Sequence, residues 1–234
     1  GSEMCIRDRS KNMNHQFIYS NQLYNFQRFS EREDFNKNLK NCMLSLFKWD
    51  NLSVLEAGVG MGRVTDYYFD KVKHVTLTDE SKIMLEYCRS KYSTEKDKVS
   101  CCLCSHSELP KMFQAKRFDI FVSAYSLSYE CIKRKGNKLQ DYINNLFSLA
   151  NRFVIIENTG VFCSDDSYIQ PYAEYFNILS SHLTKIEIQT DFRFKSTEEA
   201  VYYCGLFFGE TIASKIKQMD INVVPETTCI WYNG

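Results

Sequence analysis

Residues that break or link folded segments are scarce in this sequence. Only three prolines and nine glycines occur in 234 residues, and no Pro-, Gly- or Ser-rich stretch divides the chain. Internal repeats are also missing. The hydrophobic fraction of 44% and the aromatic fraction of 15% are sufficient for a packed core. We therefore predict one folded domain, over residues 13–234.

A surplus of charge of either sign is absent as well. The 29 Lys and Arg residues balance the 29 Asp and Glu residues, so the composition does not favour the broad basic surface that binds duplex nucleic acid or anionic lipid. No apolar run approaches the roughly 20 residues that a membrane helix requires. We accordingly expect a small-molecule partner, and neither nucleic acid nor a membrane.

C-x-x-C pairs are missing although the chain has ten cysteines. The densest group, Cys101, Cys102 and Cys104, lies in a strand-like segment, where successive side chains point to opposite faces and cannot all converge on one metal ion. We therefore predict no metal site, reduced thiols and a cytoplasmic location. The opening residues lack the apolar core of a secretory signal, and we predict residues 1–12 to be a tag or a disordered tail.

Helical periodicity dominates residues 13–50, which we predict to form a helical cap. Phe35, Leu39 and Leu46 belong to an apolar stripe with spacings of three and four. Ser30 and Glu33 have the spacing of a capping box and would start that helix.

From residue 51 onward, short apolar runs alternate with amphipathic segments, including a predicted helix at 64–73 and one that Ser81 would cap. Five strands are predicted in SVLEA, HVTLTD, VSCCL, FDIFVSA and RFVIIEN. Strands that alternate with helices form parallel sheets with helices on both faces. Two later strands, in KIEIQTDFRF and ETTCIWYN, would add an antiparallel edge. The sequence thus predicts a doubly wound, mostly parallel seven-stranded α/β sheet, with residues 51–160 as cofactor-binding core and 161–234 as substrate-side elements and edge strands.

A glycine-rich turn follows the first predicted strand, in the segment VLEAGVGMGRVTDYYF. Gly58, Gly60 and Gly62 allow positive φ angles and let a ligand approach the backbone at the carboxyl end of a parallel strand, where α/β sheets bind ligands. The dinucleotide fingerprint would need its third glycine where Arg63 stands. A carboxylate at Glu56 would repel a pyrophosphate but suits an ammonium group. The turn therefore favours a cationic nucleoside.

The next strand supplies a second acidic position. Asp79 ends HVTLTD about 20 residues after the glycines, where a carboxylate can accept both hydroxyls of a ribose. The glycine turn and this strand-terminal Asp together point to a nucleoside site more strongly than either does alone.

In this order, the motifs resemble those of class I S-adenosylmethionine-dependent methyltransferases. The resemblance runs from the glycine turn to the end of RFVIIEN and implies a Rossmann-like methyltransferase fold, with S-adenosylmethionine as cofactor and S-adenosylhomocysteine as product. It implies that Glu56 and the backbone of Ala57, Gly58 and Gly60 hold the methionine part. Asp79 would hold the ribose hydroxyls, and Glu80 and Met84 would flank the ribose and the adenine.

Two later motifs complete the resemblance. In CSHSELP the family often has an Asp that binds the adenine amino group, whereas this chain has Ser105 or His106, so that backbone groups of His106 and Ser107 would substitute. Ser123 and Tyr125, at the end of the fourth strand, would border the sulfonium. Arg28, in the predicted cap, would pair with the methionine carboxylate.

Methyl transfer requires a nucleophile about 3 Å from the methyl carbon in a site without water. An amine or thiolate needs no strong general base, but a phenol or alcohol gains from one. Candidate catalytic residues, as bases or as a π surface for the sulfonium, are Tyr125, Tyr129 and Glu157. Candidate substrate-binding residues are Tyr24, Tyr129, Asn158 and Arg193.

Several functions are compatible with these patterns. The leading interpretation is transfer of a methyl group to N, O or S of a small molecule by in-line displacement. A peptide or protein N-methyltransferase is the first alternative, and an NAD(P)-dependent oxidoreductase or a non-catalytic cofactor-binding module is the second. The acidic-Pro-Pro-aromatic signature of DNA amino-methyltransferases is missing after the fourth strand, where SAYS stands.

Overall fold

The structure is a computed structural model that describes residues 15–114, 117–162 and 169–234. The predicted tail at 1–12 lies outside the described residues. The chain divides into two compact units with interleaved segments. Of the described residues, the sheet unit comprises 40–114, 117–159, 169–188 and 228–234, and the small unit comprises 15–39, 160–162 and 189–227. The single-domain organisation stays a prediction.

A seven-stranded sheet forms the centre of the sheet unit. Its strands are β1 Ser53–Ala57, β2 His74–Asp79, β3 Val99–Leu103, β4 Phe118–Ala124, β5 Ala150–Val161, β6 Thr184–Gln189 and, last in the chain, β9 Glu226–Tyr232. Their order is β3-β2-β1-β4-β5-β9-β6. Strands β1 to β5 pair in parallel, and the late strands supply the antiparallel edge. The predicted fold class is therefore confirmed.

Strands β1 and β4 are buried on both faces. Val54 and Leu55 of β1 and Ile120 and Phe121 of β4 are completely inaccessible to solvent. Continuous apolar runs of this kind are typical of central parallel strands that helices cover on both sides. The carboxyl ends of these strands consequently lie at one edge of the sheet, where they can place polar residues together.

The helices of the sheet unit lie before, between and after the parallel strands in the chain. They are α2 Asn38–Ser45 (which begins in the small unit), α3 Thr65–Tyr68, α4 Lys82–Lys91, α5 Leu109–Met112, α6 Leu127–Cys131, α7 Asn137–Phe147 and α8 Ala173–His182. The predicted N-cap is confirmed, because the Ser81 hydroxyl accepts a hydrogen bond from the Met84 N–H.

The helix predicted at 64–73 is shorter than expected, because α3 ends at Tyr68. The cause is the register of the sheet, in which Ser53 of β1 lies beside His74 of β2. The N–H of Lys73 donates to the Leu52 carbonyl at 2.9 Å. The chain must therefore leave the helix several residues earlier in order to enter β2 in that register.

The small unit contains α1 His15–Ser30, β7 Phe192–Arg193, α9 Thr197–Phe208, α10 Glu210–Met219 and β8 Val223–Val224. Strands β7 and β8 pair antiparallel in a separate sheet. The segment KIEIQTDFRF is thus two strands, β6 and β7, in different sheets. The segment STEEAVYYCGLFFGETIASKIKQM, which its sequence pattern predicts to be helical, forms two helices, because Gly209 has a φ of 94° between α9 and α10.

The predicted capping box at Ser30 is wrong. Ser30 is the last residue of α1, and its hydroxyl donates to the Phe26 carbonyl at 2.8 Å. The following helix instead starts at Asn38, where Asp34 Oδ1 accepts the Leu39 N–H at 3.0 Å. A Ser four residues after a carbonyl on a helix can bond back to it as readily as it can cap the next helix.

Candidate cofactor site

Four loops follow the carboxyl ends of β1 to β4. Hydrogen bonds connect these loops in pairs, joining Gly60 to Asp79 and His106 to Ser126. The structure therefore brings together the residues that the sequence placed at the ends of successive strands. Among the described residues, no group of three or more His, Cys, Asp or Glu side chains could hold a metal ion.

The three glycines of the turn have different environments. Gly58, Gly60 and Gly62 have φ angles of 71°, 54° and 72°. A Cβ at Gly58 would collide with the Ser126 side chain, and a Cβ at Gly62 would lie 2.6 Å from the Tyr92 hydroxyl. At Gly60, by contrast, no described atom beyond its own chain neighbours lies within 4 Å of the position that a Cβ would take. Two glycines thus serve the packing of the protein, and Gly60 keeps a ligand-sized approach open.

Asp79 faces this open part of the turn. Its Oδ2 accepts the Gly60 N–H at 2.9 Å, and its Oδ1 accepts the Ser81 N–H at 2.8 Å. Burial raises the pKa of the carboxyl above its ordinary value, while these two N–H groups act in the opposite direction. A carboxylate has about four lone-pair positions, so two bonds to the backbone leave acceptor capacity for hydroxyl groups.

Two residues that follow Asp79 in the chain, Glu80 and Met84 of α4, differ in exposure. Glu80 is exposed, but only 1% of Met84 is accessible. Met84 is thus almost fully buried, and its contact with the adenine stays a prediction. Met84 is the third residue after the N-cap Ser81. A side chain at this position is buried when that face of the helix is apolar.

Glu56 is buried and bonded inside the protein. Its Oε2 accepts the Thr65 hydroxyl at 2.7 Å and also accepts the Tyr68 hydroxyl. Burial raises the pKa of Glu56 to about 7. The hydroxyls of α3 occupy Oε2, and desolvation disfavours the charged form. The contact of Glu56 with an ammonium group stays a prediction.

The loop after β3 begins with a capping box. The Ser105 hydroxyl and N–H both donate to Glu108, at 2.6 and 2.9 Å, and Ser107 Oγ lies 2.9 Å from Ser105 Oγ. The Tyr142 hydroxyl donates to the His106 carbonyl at 2.9 Å. Burial lowers the pKa of His106 to about 4, so the imidazole is neutral near pH 7.

The turn after β4 contains Tyr125, a non-glycine residue with a φ of 55°. Its N–H donates to the Ile156 carbonyl at 2.8 Å, and its hydroxyl lies 3.3 Å from Thr228 Oγ1. The Arg63 guanidinium carbon lies 5.1 Å from the centre of the Tyr125 ring. One π face of this ring therefore already contacts a cation. Ser123, two residues earlier, is completely buried.

Glu157 holds the start of α6. Its carboxylate accepts the N–H and the hydroxyl of Ser128, both at 2.9 Å, and the Tyr175 hydroxyl at 3.3 Å. Only 2% of Glu157 is accessible. This is the environment of a side chain that positions a helix, although we predicted a general base. Tyr129 of α6 and Asn158 of β5 are half-buried.

Three predicted residues belong to the small unit. The Arg28 guanidinium lies 5.1 Å from the Tyr24 ring centre, and their hydrogen bond raises the pKa of Arg28. The Arg193 guanidinium lies 3.8 Å from the Phe35 ring centre. Their roles toward the cofactor or the substrate stay predictions.

Sequence reasoning missed Ser126 and Ser128, which bond to predicted site residues. Both follow the end of β4, and hydroxyl residues directly after a parallel strand were the signal that could have identified them. Their partners, His106 and Glu157, lie 20 and 29 residues away in the chain, so the pairing itself could not be predicted.

Comparisons with known proteins agree with this geometry. Residues 54–146 match the model of a methyltransferase domain, and no curated protein matches the chain. The solved structure of the YcgJ protein from Bacillus subtilis is similar at 12% identity with a TM-score of 0.56, covering 82% of this chain and 95% of that chain. N-methyltransferase NodS from Bradyrhizobium japonicum has 14% identity, a TM-score of 0.51 and coverage of 85% and 96%. Precorrin 8w decarboxylase from Methanobacterium thermoautotrophicum has 12% identity, a TM-score of 0.52 and coverage of 84% and 89%.

The matched domain and the Rossmann-like sheet define a methyltransferase. Residues 54–146 thus carry a methyltransferase domain, and this match supports an S-adenosylmethionine-dependent methyltransferase with S-adenosylmethionine as cofactor. The predicted family, enzyme class and cofactor are therefore confirmed, and the alternative of a nicotinamide-dependent oxidoreductase is not supported. Among the described residues, no helix is both long enough and apolar enough to cross a membrane.

Proposed function

We propose that this enzyme transfers the methyl group of S-adenosylmethionine to a nitrogen, oxygen or sulfur atom of a small-molecule acceptor by in-line displacement. The observation that carries the proposal is the pairing of Gly60 with Asp79. The turn is open at Gly60, and the carboxylate directly beside it retains acceptor capacity. A backbone without a side chain, next to a hydroxyl acceptor, suits the ribose of a nucleoside.

The residues that would hold the cofactor follow from these contacts. The backbone of Ala57, Gly58 and Gly60 would lie against its methionine part, and Asp79 would accept its ribose hydroxyls. Backbone groups of the loop 105–107 would lie against the adenine. When bound, S-adenosylmethionine supplies a methyl group on a positively charged sulfur.

The residues after β4 and β5 would shape the methyl-transfer region. We assign Tyr125 and Tyr129 to orienting the acceptor and excluding water, because both follow the carboxyl end of β4. Glu157 acts as a positioning residue, since it anchors Ser128 at the start of the helix that carries Tyr129. An acceptor that is already a good nucleophile, such as an amine or a thiolate, needs no further base in this arrangement.

The chemical class of the acceptor is supported by the balanced composition. Equal numbers of basic and acidic residues offer no field that would concentrate a polyanion. Tyr24, Tyr129, Asn158 and Arg193 remain the candidates for contacting the acceptor. The described cysteines are all free thiols, which supports a reducing, cytoplasmic location.

Calorimetric titration with S-adenosylhomocysteine and, in parallel, with NADH tests the cofactor site. We expect binding of the first compound only. A second assay follows S-adenosylhomocysteine formation from S-adenosylmethionine with a panel of small amines, phenols and thiols, and with a panel of peptides. Turnover with small acceptors supports the proposal. Turnover with peptides alone would replace it by peptide N-methylation, and binding of NADH alone would overturn it.

A further inference from the structure

The glycine turn is held from one side by the end of α4. Three residues there, Cys88, Lys91 and Tyr92, donate hydrogen bonds to the backbone carbonyl groups of residues 60–62. The Cys88 thiol donates to the Gly60 carbonyl at 3.3 Å. Burial raises the pKa of this thiol to about 12, so it keeps its hydrogen near pH 7. Three consecutive carbonyls of the turn are therefore bonded to one helix and its C-cap.

Lys91 makes most of these bonds. Its ammonium group donates to the carbonyls of Met61 and Gly62, at 3.1 and 3.3 Å, and to Asp66 Oδ2 at 2.5 Å. An ammonium group has three hydrogens, so each of the three acceptors can receive one. The charged end of Lys91 is thus fully engaged within the protein.

Tyr92 supports the same contacts with less capacity. Its hydroxyl lies 3.0 Å from the Gly62 carbonyl oxygen and 2.8 Å from Asp66 Oδ1. Both of these oxygens only accept, and the hydroxyl has a single hydrogen for the two of them. The Gly62 carbonyl therefore depends on Lys91 as well as on Tyr92.

The start of α4 fixes the other side of Gly60. The Gly60 N–H donates to Asp79 Oδ2, and Asp79 Oδ1 accepts the N–H of Ser81, the N-cap of α4. The N–H and the carbonyl of Gly60 are thereby oriented by partners near the two ends of one helix. A glycine turn without such partners would sample many backbone conformations, because no Cβ restricts it.

We propose that Lys91 is a positioning residue of the cofactor site, which holds the glycine turn, before the cofactor arrives, in the conformation that leaves Gly60 open. Protein acceptors use all of its ammonium hydrogens, so it acts through the backbone of the turn and does not touch the cofactor. A turn that is already ordered loses less conformational entropy when a ligand binds, and this raises the affinity. The inference rests on the proposed function, since it requires the cofactor to occupy this turn.

Four substitutions test this role. Lys91→Met removes the ammonium group and keeps an unbranched apolar side chain, whereas Lys91→Arg keeps a cation with several N–H donors. Tyr92→Phe removes the hydroxyl but keeps the ring that stacks on Phe69, with ring centres 4.6 Å apart. Lys82→Met is the matched control, because Lys82 is an exposed lysine at the start of the same helix and pairs with Glu86 at 3.7 Å.

Calorimetric titration with S-adenosylhomocysteine measures the effect on the site. We expect Lys91→Met to bind this compound about 5- to 10-fold more weakly, which is the range of one or two net hydrogen bonds. Tyr92→Phe should lose about 2- to 3-fold, because one hydrogen is shared between two acceptors. Lys91→Arg and Lys82→Met should bind like the wild-type enzyme. Wild-type affinity in Lys91→Met, or an equal loss in Lys82→Met, would overturn the proposal.

Amide hydrogen exchange in the free enzyme separates local ordering of the turn from general destabilisation. The Gly60 amide belongs to the turn, whereas the Leu55 amide belongs to the buried central strand β1. We expect Lys91→Met to increase the exchange rate of Gly60 at least about 10-fold more than that of Leu55, because a local opening does not expose the sheet. Equal increases at both amides would show a merely structural role and overturn the inference.

The two measurements also separate this inference from the proposed function. If S-adenosylhomocysteine does not bind the wild-type enzyme while the exchange rates change as expected, the proposed function fails. The role of Lys91 toward the cofactor then fails with it, but its hold on the glycine turn stands. If the wild-type enzyme binds the compound and Lys91→Met binds it equally well, only the inference about Lys91 fails.

Discussion

Replacing Asp79 by Asn is the perturbation with the clearest expected effect on cofactor binding. The side chain keeps its size, but one oxygen becomes an NH₂ group that cannot accept a hydrogen bond. In the wild-type protein both oxygens accept backbone N–H groups, from Gly60 at 2.9 Å and from Ser81 at 2.8 Å. The substitution therefore disturbs the turn as well as the proposed contact with the ribose.

The magnitude follows from the bonds that are lost. A hydrogen bond to a charged group contributes about 1.5–3 kcal/mol. Loss of one such bond to the ribose would weaken binding of S-adenosylhomocysteine roughly 10- to 100-fold. Because one backbone donor also loses its acceptor, we expect the free energy of unfolding to fall by about 1–3 kcal/mol.

Isothermal titration calorimetry of the folded variant measures the first effect, and urea denaturation measures the second. Asp119→Asn is the matched control. Asp119 accepts the N–H and the hydroxyl of Ser53, at 2.7 and 2.6 Å, near the amino end of β4. Both bonds use Oδ2, whose place the amide oxygen of Asn can take, so we expect this control to lose less stability than Asp79→Asn and to bind S-adenosylhomocysteine like the wild-type protein.

The comparison of the two variants decides between a binding role and a structural role for Asp79. Wild-type affinity in a folded Asp79→Asn protein would refute the assignment of this carboxylate to the ribose. Equal losses of affinity in Asp79→Asn and Asp119→Asn would show that the effect comes from general destabilisation of the sheet.

Three further predictions concern stability. Glu157→Gln should lower the free energy of unfolding by about 1–3 kcal/mol in urea titrations, because the carboxylate accepts three hydrogen bonds; unchanged stability with lost turnover would restore it as a catalytic base. Gly58→Ala should destabilise the protein by about 1–3 kcal/mol more than Gly136→Ala, through overpacking. Both glycines have a positive φ, but only a Cβ at Gly58 would meet another side chain. Equal thermal shifts of the two variants would contradict this. The raised pKa of Glu56, about 7, predicts that the free energy of unfolding falls as pH rises from about 4.5 to 7, by roughly 3 kcal/mol. Glu56→Gln should lack this slope in denaturation curves across that range, and an unchanged slope would place the titration elsewhere.

Much of the sheet was predictable from the sequence. SVLEA, HVTLTD, VSCCL and FDIFVSA form strands with the predicted limits. The buried strands among them are short, mostly apolar runs with turn residues at both ends. Helix limits were less predictable. The end of α3 depends on the register of β1 and β2, which arises only when two distant segments pair.

Two features of the candidate site were predictable from the sequence: the backbone of the glycine turn and the acidic residue at the end of the next strand. The openness at Gly60 and the position of Asp79 beside it agree with that expectation. Side-chain roles were harder to assign. Glu56 and Glu157 are acidic residues near the carboxyl ends of strands, but each is bonded to hydroxyl groups inside the protein.

The sequence by itself determined most strands of the parallel sheet and a turn suited to a cationic nucleoside, because these depend on local periodicity and on a turn without side chains. The resemblance of its motifs to a known family supplied the cofactor. Only the tertiary structure decided which polar groups remain available to a ligand. Hydrogen-bond partners such as His106 and Ser126, or Glu157 and Ser128, are far apart in the chain, and a polar side chain in the interior takes whichever partner the packing of the sheet brings within reach.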